Sequence, residues 1–286
     1  MAVNLAAIRA RRAKIQRRKR RPPPQRQPDA IRMSYFAALR RLLLRAREIL
    51  QEELLNQLPR LLSLARGEVL ADSAFVVRID ADGPKRIKEA VDRAVARFSQ
   101  EATGPRLERL ARKVGEDTGR FHEKELNKQL RATLGIELPV FEPKMQARLD
   151  LFTERNVAYI ETISTKYFDG VKKLVLGAVE TGQRHEELAK EIKDLTGVAE
   201  SDAKRVARDQ VGKFFGALNQ VRQQDLGINT YIWRTSQDNR VREEHEAREG
   251  KVFSWDDPPE DGHPGQPIQC RCYPEPNIQA FLEEIR

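Results

Sequence analysis

The chain has 286 residues, 40% of them hydrophobic, 33% charged and 6% aromatic, with a net charge of +9 at neutral pH. No run of about 18 apolar residues is present, so no segment reads as a membrane span. Two cysteines separated by one residue exclude a disulfide framework and point to a reducing compartment, the cytoplasm.

The positive charge is concentrated at one end. Residues 1–32 contain eleven Lys or Arg against Asp29 alone, and beyond Arg32 basic and acidic side chains nearly cancel. Residues 1–30 therefore read as a disordered basic tail, because such a segment buries too little apolar surface to offset chain entropy. Arg9, Arg11, Arg12, Lys14, Arg17, Arg18, Lys19, Arg20 and Arg21 form a set able to neutralise phosphates without reading sequence. The alternative is a solubilising tail with no fixed partner.

Helical periodicity then takes over. Phe36, Leu39, Leu43, Ala46, Leu50, Leu54 and Leu58 recur at three- and four-residue intervals, and Pro59 is expected to end that stripe. Phe75 to Ile79 reads as a strand or an extended link. Helices are expected over Lys85–Gln100, Pro105–Leu134, Lys144–Thr165, Val171–Thr181 and His185–Leu195. The last one runs from Ser201, with Ser201-Asp202 as its cap, to Gln224. His122 and His185 read as surface or cap residues.

After Gly227 the pattern changes. Ile228 to Thr235 reads as a strand, Gln237 to Asn239 as a turn, and Val241 to Glu249 as a short helix closed by Gly250. Lys251 to Phe253 and Cys270 to Tyr273 read as further extended pieces around a Pro/Gly/Asp loop. The chain is thus expected to be mainly α, with an elongated helical body over 31–226 and a small α+β module over 227–286. A module of roughly 60 residues is marginal unless it is docked or stapled.

His245, His263, Cys270 and Cys272 make a complete donor set for a structural, tetrahedral zinc ion. The alternative is a metal-free core in which the cysteines pack as small apolar residues and the histidines form hydrogen bonds. Asp238 is placed to cap the helix beginning near Val241, and either Arg240 or Arg242 to pair with Asp238 or Glu246. A different use of the same residues is nucleic-acid cleavage by His245 and His263, with Arg242 holding a phosphate.

Trp233, Thr235, Asp238, Arg240, Arg242, His245, Gly250, His263-Pro264 and Cys270-Arg271-Cys272, in this order, resemble the signature of the phage Mu F-like head morphogenesis family. The resemblance covers about residues 170–276 and departs from the family pattern at Gln210. It implies a minor capsid protein of a tailed bacteriophage, located in the head interior or at the portal vertex. Its implied partners are the portal protein, major capsid or scaffold proteins and packaged DNA, the last reached through the basic tail. Its implied work is procapsid assembly and DNA packaging or ejection, without enzymatic activity.

Overall fold

The computed structural model describes residues 8, 21–66, 83–135, 143–181 and 183–284. The expected strand at Phe75–Ile79 and the basic set from Arg9 to Arg20 lie outside these residues. No described helix is long and apolar enough to cross a membrane.

The architecture is mainly α with a small antiparallel sheet near the C-terminus. Helix α1 spans Asp29–Glu53 and is followed by a 3-10 turn at Leu55–Gln57 and by α2, Leu58–Arg66. Helices α3 (Gly83–Glu101), α4 (Gly104–Thr133), α5 (Pro143–Thr181) and α6 (His185–Asp225) follow. The C-terminal elements are β1 (Thr230–Arg234), α7 (Glu243–Glu246), β2 (Val252–Ser254), β3 (Tyr273–Pro276) and α8 (Ile278–Glu284).

The apolar stripe of α1 is buried as its spacing predicts, with Leu39, Leu43, Ala46, Leu50 and Leu54 all at most 3% exposed. Pro59 does not end it. The break falls at Leu54, whose φ of −125° and ψ of −61° leave the helical region, and Pro59 lies in the first turn of α2. Proline is tolerated there because the first N–H groups of a helix have no internal partner.

Two expected breaks are absent. Residues 166–170 continue α5, and Gly170 is retained where an added Cβ would stand 2.8 Å from the Leu195 side chain. Ser201 does not cap a new helix; its hydroxyl donates to the Gly197 carbonyl inside α6 at 3.1 Å. This back-bond satisfies the hydroxyl within the helix, so the capping signal at Ser201-Asp202 is overridden.

The chain divides into two compact units, and the division falls within helices. One unit contains Tyr35–Arg109 and Asn156–Val206. Its interior joins Tyr35 to Asn156 (2.9 Å) and Tyr167 to Thr196 (3.1 Å), and Phe98 packs on Phe168 with centroids 5.4 Å apart. At its surface Arg45 grips Glu101 through two N–H groups at 2.8 Å.

The other unit contains residues up to Ser34, Leu110–Arg155 and Ala207–Arg286. Its first cluster joins Leu126, Leu130 and Leu134 of α4 to Leu226, Ile228 and the α8 residues Ile278, Phe281 and Leu282, with Ile8 buried among them. His122 is a core residue here rather than a surface one. It is fully buried, its Nδ1 accepts from Arg222 at 2.8 Å, and it meets Phe215 edge-on.

The last ten residues of the expected disordered tail are placed. Pro22 to Pro28 form an extended strap held on this unit. Gln25 exchanges two hydrogen bonds with Asn219 of α6, at 3.1 and 3.0 Å, and Pro23 offers its carbonyl to Gln129 of α4. Arg26 donates to the buried carboxylate of Glu125 from both backbone and side chain. The prolines suit this course, since they fix φ and demand no N–H partner. Arg21 reaches Glu275 of β3 at 3.6 Å.

The sheet has the order β2-β1-β3, all antiparallel, with Tyr231 opposite Phe253 and Pro276, and Trp233 opposite Pro274. Pro274 and Pro276 occupy alternate positions of an edge strand, where a missing N–H facing away from β1 leaves the ladder intact. Gln223 of α6 donates to the Pro274 carbonyl at 2.9 Å, which ties the sheet to the helix before it.

Candidate metal centre

Three of the four expected ligands converge. His245, Cys270 and Cys272 are buried, and their donor atoms lie within 4.8 Å of one another. His245 enters from α7, whose preceding residue, Arg242, makes no side-chain cap. The cysteines arrive on the segment that becomes β3, and Trp233 of β1 lies edge-on to the His245 ring at 5.2 Å. Tyr231, Trp233 and Trp255 complete a small aromatic core around the sulfurs, with Phe253 packed against it.

The imidazole of His245 is oriented by Asp261, whose carboxylate accepts from Nε2 at 2.8 Å. That bond fixes the tautomer and turns the Nδ1 lone pair toward the sulfurs, the usual support for a metal-binding histidine. Nδ1 stands 3.6 Å from Cys270 Sγ and 3.4 Å from Cys272 Sγ. Zinc bonds of about 2.0–2.1 Å to nitrogen and about 2.3 Å to sulfur, at tetrahedral angles, require a separation of about 3.5 Å. The donor set and its spacing therefore fit a zinc ion.

The charge distribution is consistent with that fit. A hydrogen bond from Cys272 brings the Cys270 thiol down to about 6, and the Gly265 backbone N–H assists at 3.5 Å. The same shared proton pushes Cys272 up, as does burial. The indole N–H of Trp233, buried without a hydrogen-bonded partner among the described residues, favours the Cys272 thiolate. Burial would raise Asp261, but hydrogen bonds from His245 and Arg248 outweigh it and hold the carboxyl below its ordinary range.

His263 is not part of the group. Its Nδ1 lies 2.9 Å from the Tyr231 hydroxyl, and its ring meets Tyr231 and Trp255 edge-on. Burial pulls its pKa down, partly offset by a hydrogen bond to the Trp255 backbone. With Nδ1 on the Tyr231 hydroxyl and the ring packed against Tyr231 and Trp255, His263 is held within the aromatic core rather than among the sulfurs. His263-Pro264 instead seats the loop on α6. A Cβ at Gly216 would stand 2.8 Å from the Pro264 carbonyl, and Gly265, at φ +91°, packs on Gly212 and Gly216. A side chain at Gly216 would push this loop away, whereas one at Gly212 would first meet the Arg32 guanidinium at 3.2 Å.

The remaining motif residues act as supports or stand apart. Asp238 does not cap α7. It accepts from the Arg240 backbone at 3.1 Å and pairs with Arg271, which pulls its pKa down. Arg242 donates to the Ile268 carbonyl at 2.6 Å rather than pairing with an acid. Gly250 takes φ +76°, a conformation that suits glycine, and its N–H donates to the Trp233 carbonyl. Thr235 donates its N–H and hydroxyl to Glu249, which also receives Arg234. Gln210 is buried on α6 and donates to its neighbour Asp209, which in turn accepts the Gln269 backbone N–H at 2.9 Å.

Sequence reading missed Asp261, Glu249, Glu275 and Arg234, which orient or brace the group. Arg234 bridges the two glutamates at 3.1 and 2.8 Å. No local spacing marks these contacts, because each joins separate strands or loops. The Gly212–Gly216 notch did leave a signal: two glycines four apart on one helix face.

Comparison with known proteins gives two matches. Residues 169–274 match the family described as Phage Mu protein F like protein. An uncharacterized protein of Haemophilus influenzae (strain KW20 / Rd) is 36% identical over 152 residues, which is 52% of this chain and 34% of that protein. The chain thus spans about a third of that relative's length. No solved structure matches. The matched residues include β1, both cysteines and His245, so over residues 169–274 the chain is similar to the Phage Mu F-like family.

Proposed function

We propose that this protein is a minor head protein of a tailed bacteriophage, associated with the portal and acting in procapsid assembly and in DNA packaging or ejection. The observation that carries the reading is the coincidence of the family match with the folded group: the matched residues include β1, β2 and all three of His245, Cys270 and Cys272. Its C-terminal module serves as a docking unit whose small core is stapled by zinc through these three residues. Metal binding supplies folding free energy that a core of this size lacks. A structural role is favoured over cleavage of nucleic acid, because His263 stands apart from His245 and Arg242 and the carboxylate on His245 is already committed to Arg248. The basic residues from Arg9 to Arg21 extend the role to contact with packaged DNA.

Mass spectrometry of particles purified from a host producing the phage tests the placement. The chain is expected in mature heads at low copy number and in complexes purified through the portal protein. Its absence from particles, while present in the lysate, would overturn the assignment. Metal analysis of the purified chain tests the ion, with one zinc per chain expected.

A further inference from the structure

The Arg240-x-Arg242 step and Arg271 are left unexplained by the metal group, yet they converge beside it. A cavity of about 330 Å³ is lined by Arg208, Arg240, Arg242 and Arg271, with Ser236 on its wall and the His245–Cys270–Cys272 group against it. Three separate pieces of chain supply these guanidinium groups: α6, the turn before α7, and the residue between the cysteines. A space of this size admits a tetrahedral oxyanion together with bound water.

The charges inside are poorly compensated. Arg271 pairs with Asp238, and Arg242 spends an N–H on a backbone carbonyl. Among the described residues, neither Arg208 nor Arg240 forms an ion pair. Close by, Arg32 is only 5% exposed, and its Nε has no hydrogen-bonded partner among the described residues. Burial makes its positive charge costly, the ion pair with Asp29 at 2.8 Å offsets part of that cost, and repulsion from Arg208 and Arg271 adds to it. Guanidinium groups gathered without matching acids are a standing repulsion that an anion would relieve.

We propose that this cavity binds a phosphate group, with Arg208 and Arg240 as its principal donors and Arg242 and Arg271 completing the cradle. Guanidinium forks arriving from several directions suit a tetrahedral anion with several acceptor oxygens better than a planar carboxylate, which one fork satisfies. The phosphate is either free or part of a polynucleotide backbone. The site goes beyond the head-protein reading and does not require it, since it rests on the arginines of one unit alone.

The test is isothermal titration of the full chain, as purified, with inorganic phosphate and separately with a thymidine dinucleotide carrying one phosphodiester. Saturable binding of at least one probe is expected. The Arg208→Ala/Arg240→Ala pair should weaken it about tenfold or more, and Arg208→Lys/Arg240→Lys should lose less, keeping charge but not the fork. Arg109→Ala, outside the cavity, should leave it unchanged. Preference between the two probes identifies the source of the phosphate. The proposal is overturned if neither probe saturates, if the double-alanine variant keeps full affinity while circular dichroism shows it folded, or if affinity instead follows alanine replacement of Arg17, Arg18 and Arg20.

Discussion

His245 and His263 belong to one sequence signature, lie in one small module and are almost equally buried, yet their surroundings give them opposite chemistry. His245 faces two sulfurs with a free lone pair because Asp261 holds its other nitrogen. His263 faces a phenol and a backbone carbonyl, and its ring is spent on packing and hydrogen bonds within the aromatic core. The difference teaches that residue type and order do not make a ligand. The group on the second ring nitrogen, and what the first then points at, decide it.

The sharpest way to break this comparison is metal content. Replacing Cys270 and Cys272 with Ser should reduce zinc from one per chain to none, and His263→Gln should leave it at one. Loss of zinc in the His263 variant, with the fold intact by circular dichroism, would restore His263 to the ligand set. Next in size is Asp261→Asn, which keeps the shape but weakens the hold on the His245 tautomer. Zinc affinity should fall about 10- to 100-fold in competition with a chelator.

Stability probes the other histidine. His263→Ala should cost about 2–3 kcal/mol in denaturant unfolding, since it opens space in the aromatic core and strands the Tyr231 hydroxyl. The same change should leave zinc stoichiometry unaltered under native conditions.

The smallest effect is on pH dependence. Burial lowers the pKa of His263 and of His122 below the unfolded value of about 6.5. The unfolded chain then binds more protons than the folded one as pH falls through that value. The stability these neutral histidines contribute is complete above about 6.5 and is lost as pH drops toward their folded values. Melting curves should shift downward from pH 7 to pH 5, and less so in His263→Gln; an unchanged shift would remove His263 from that balance.

Much of the architecture was legible before any coordinates. The α1 stripe, the limits of α3 and α4 within a residue or two, β1 and β2 and the glycine closing the α7 turn all follow from local pattern and backbone preference, whereas β3 begins only at Tyr273, where the expected extended piece ends. Helix continuity was not legible. Gly170, Gly197 and Ser201 look like punctuation in sequence, but packing against Leu195 and a back-bonded hydroxyl carry the helices through them. The strap from Pro22 to Pro28 was equally hidden, since a basic, proline-rich stretch holds no periodicity, and its order depends on Asn219, Glu125 and Gln129 far along the chain.

Sequence alone determined which chemistry the molecule carries: a segregated basic end, helices of fixed amphipathic spacing, and a cluster of sulfur and imidazole in the last fifth. Tertiary structure decided which of those groups meet, separating His263 from the sulfurs, adding Asp261 behind His245 and gathering four arginines around one cavity. The division has a physical cause. Helix and strand preferences act between residues a few positions apart, whereas ligand geometry and charge compensation depend on side chains brought together only when the core closes.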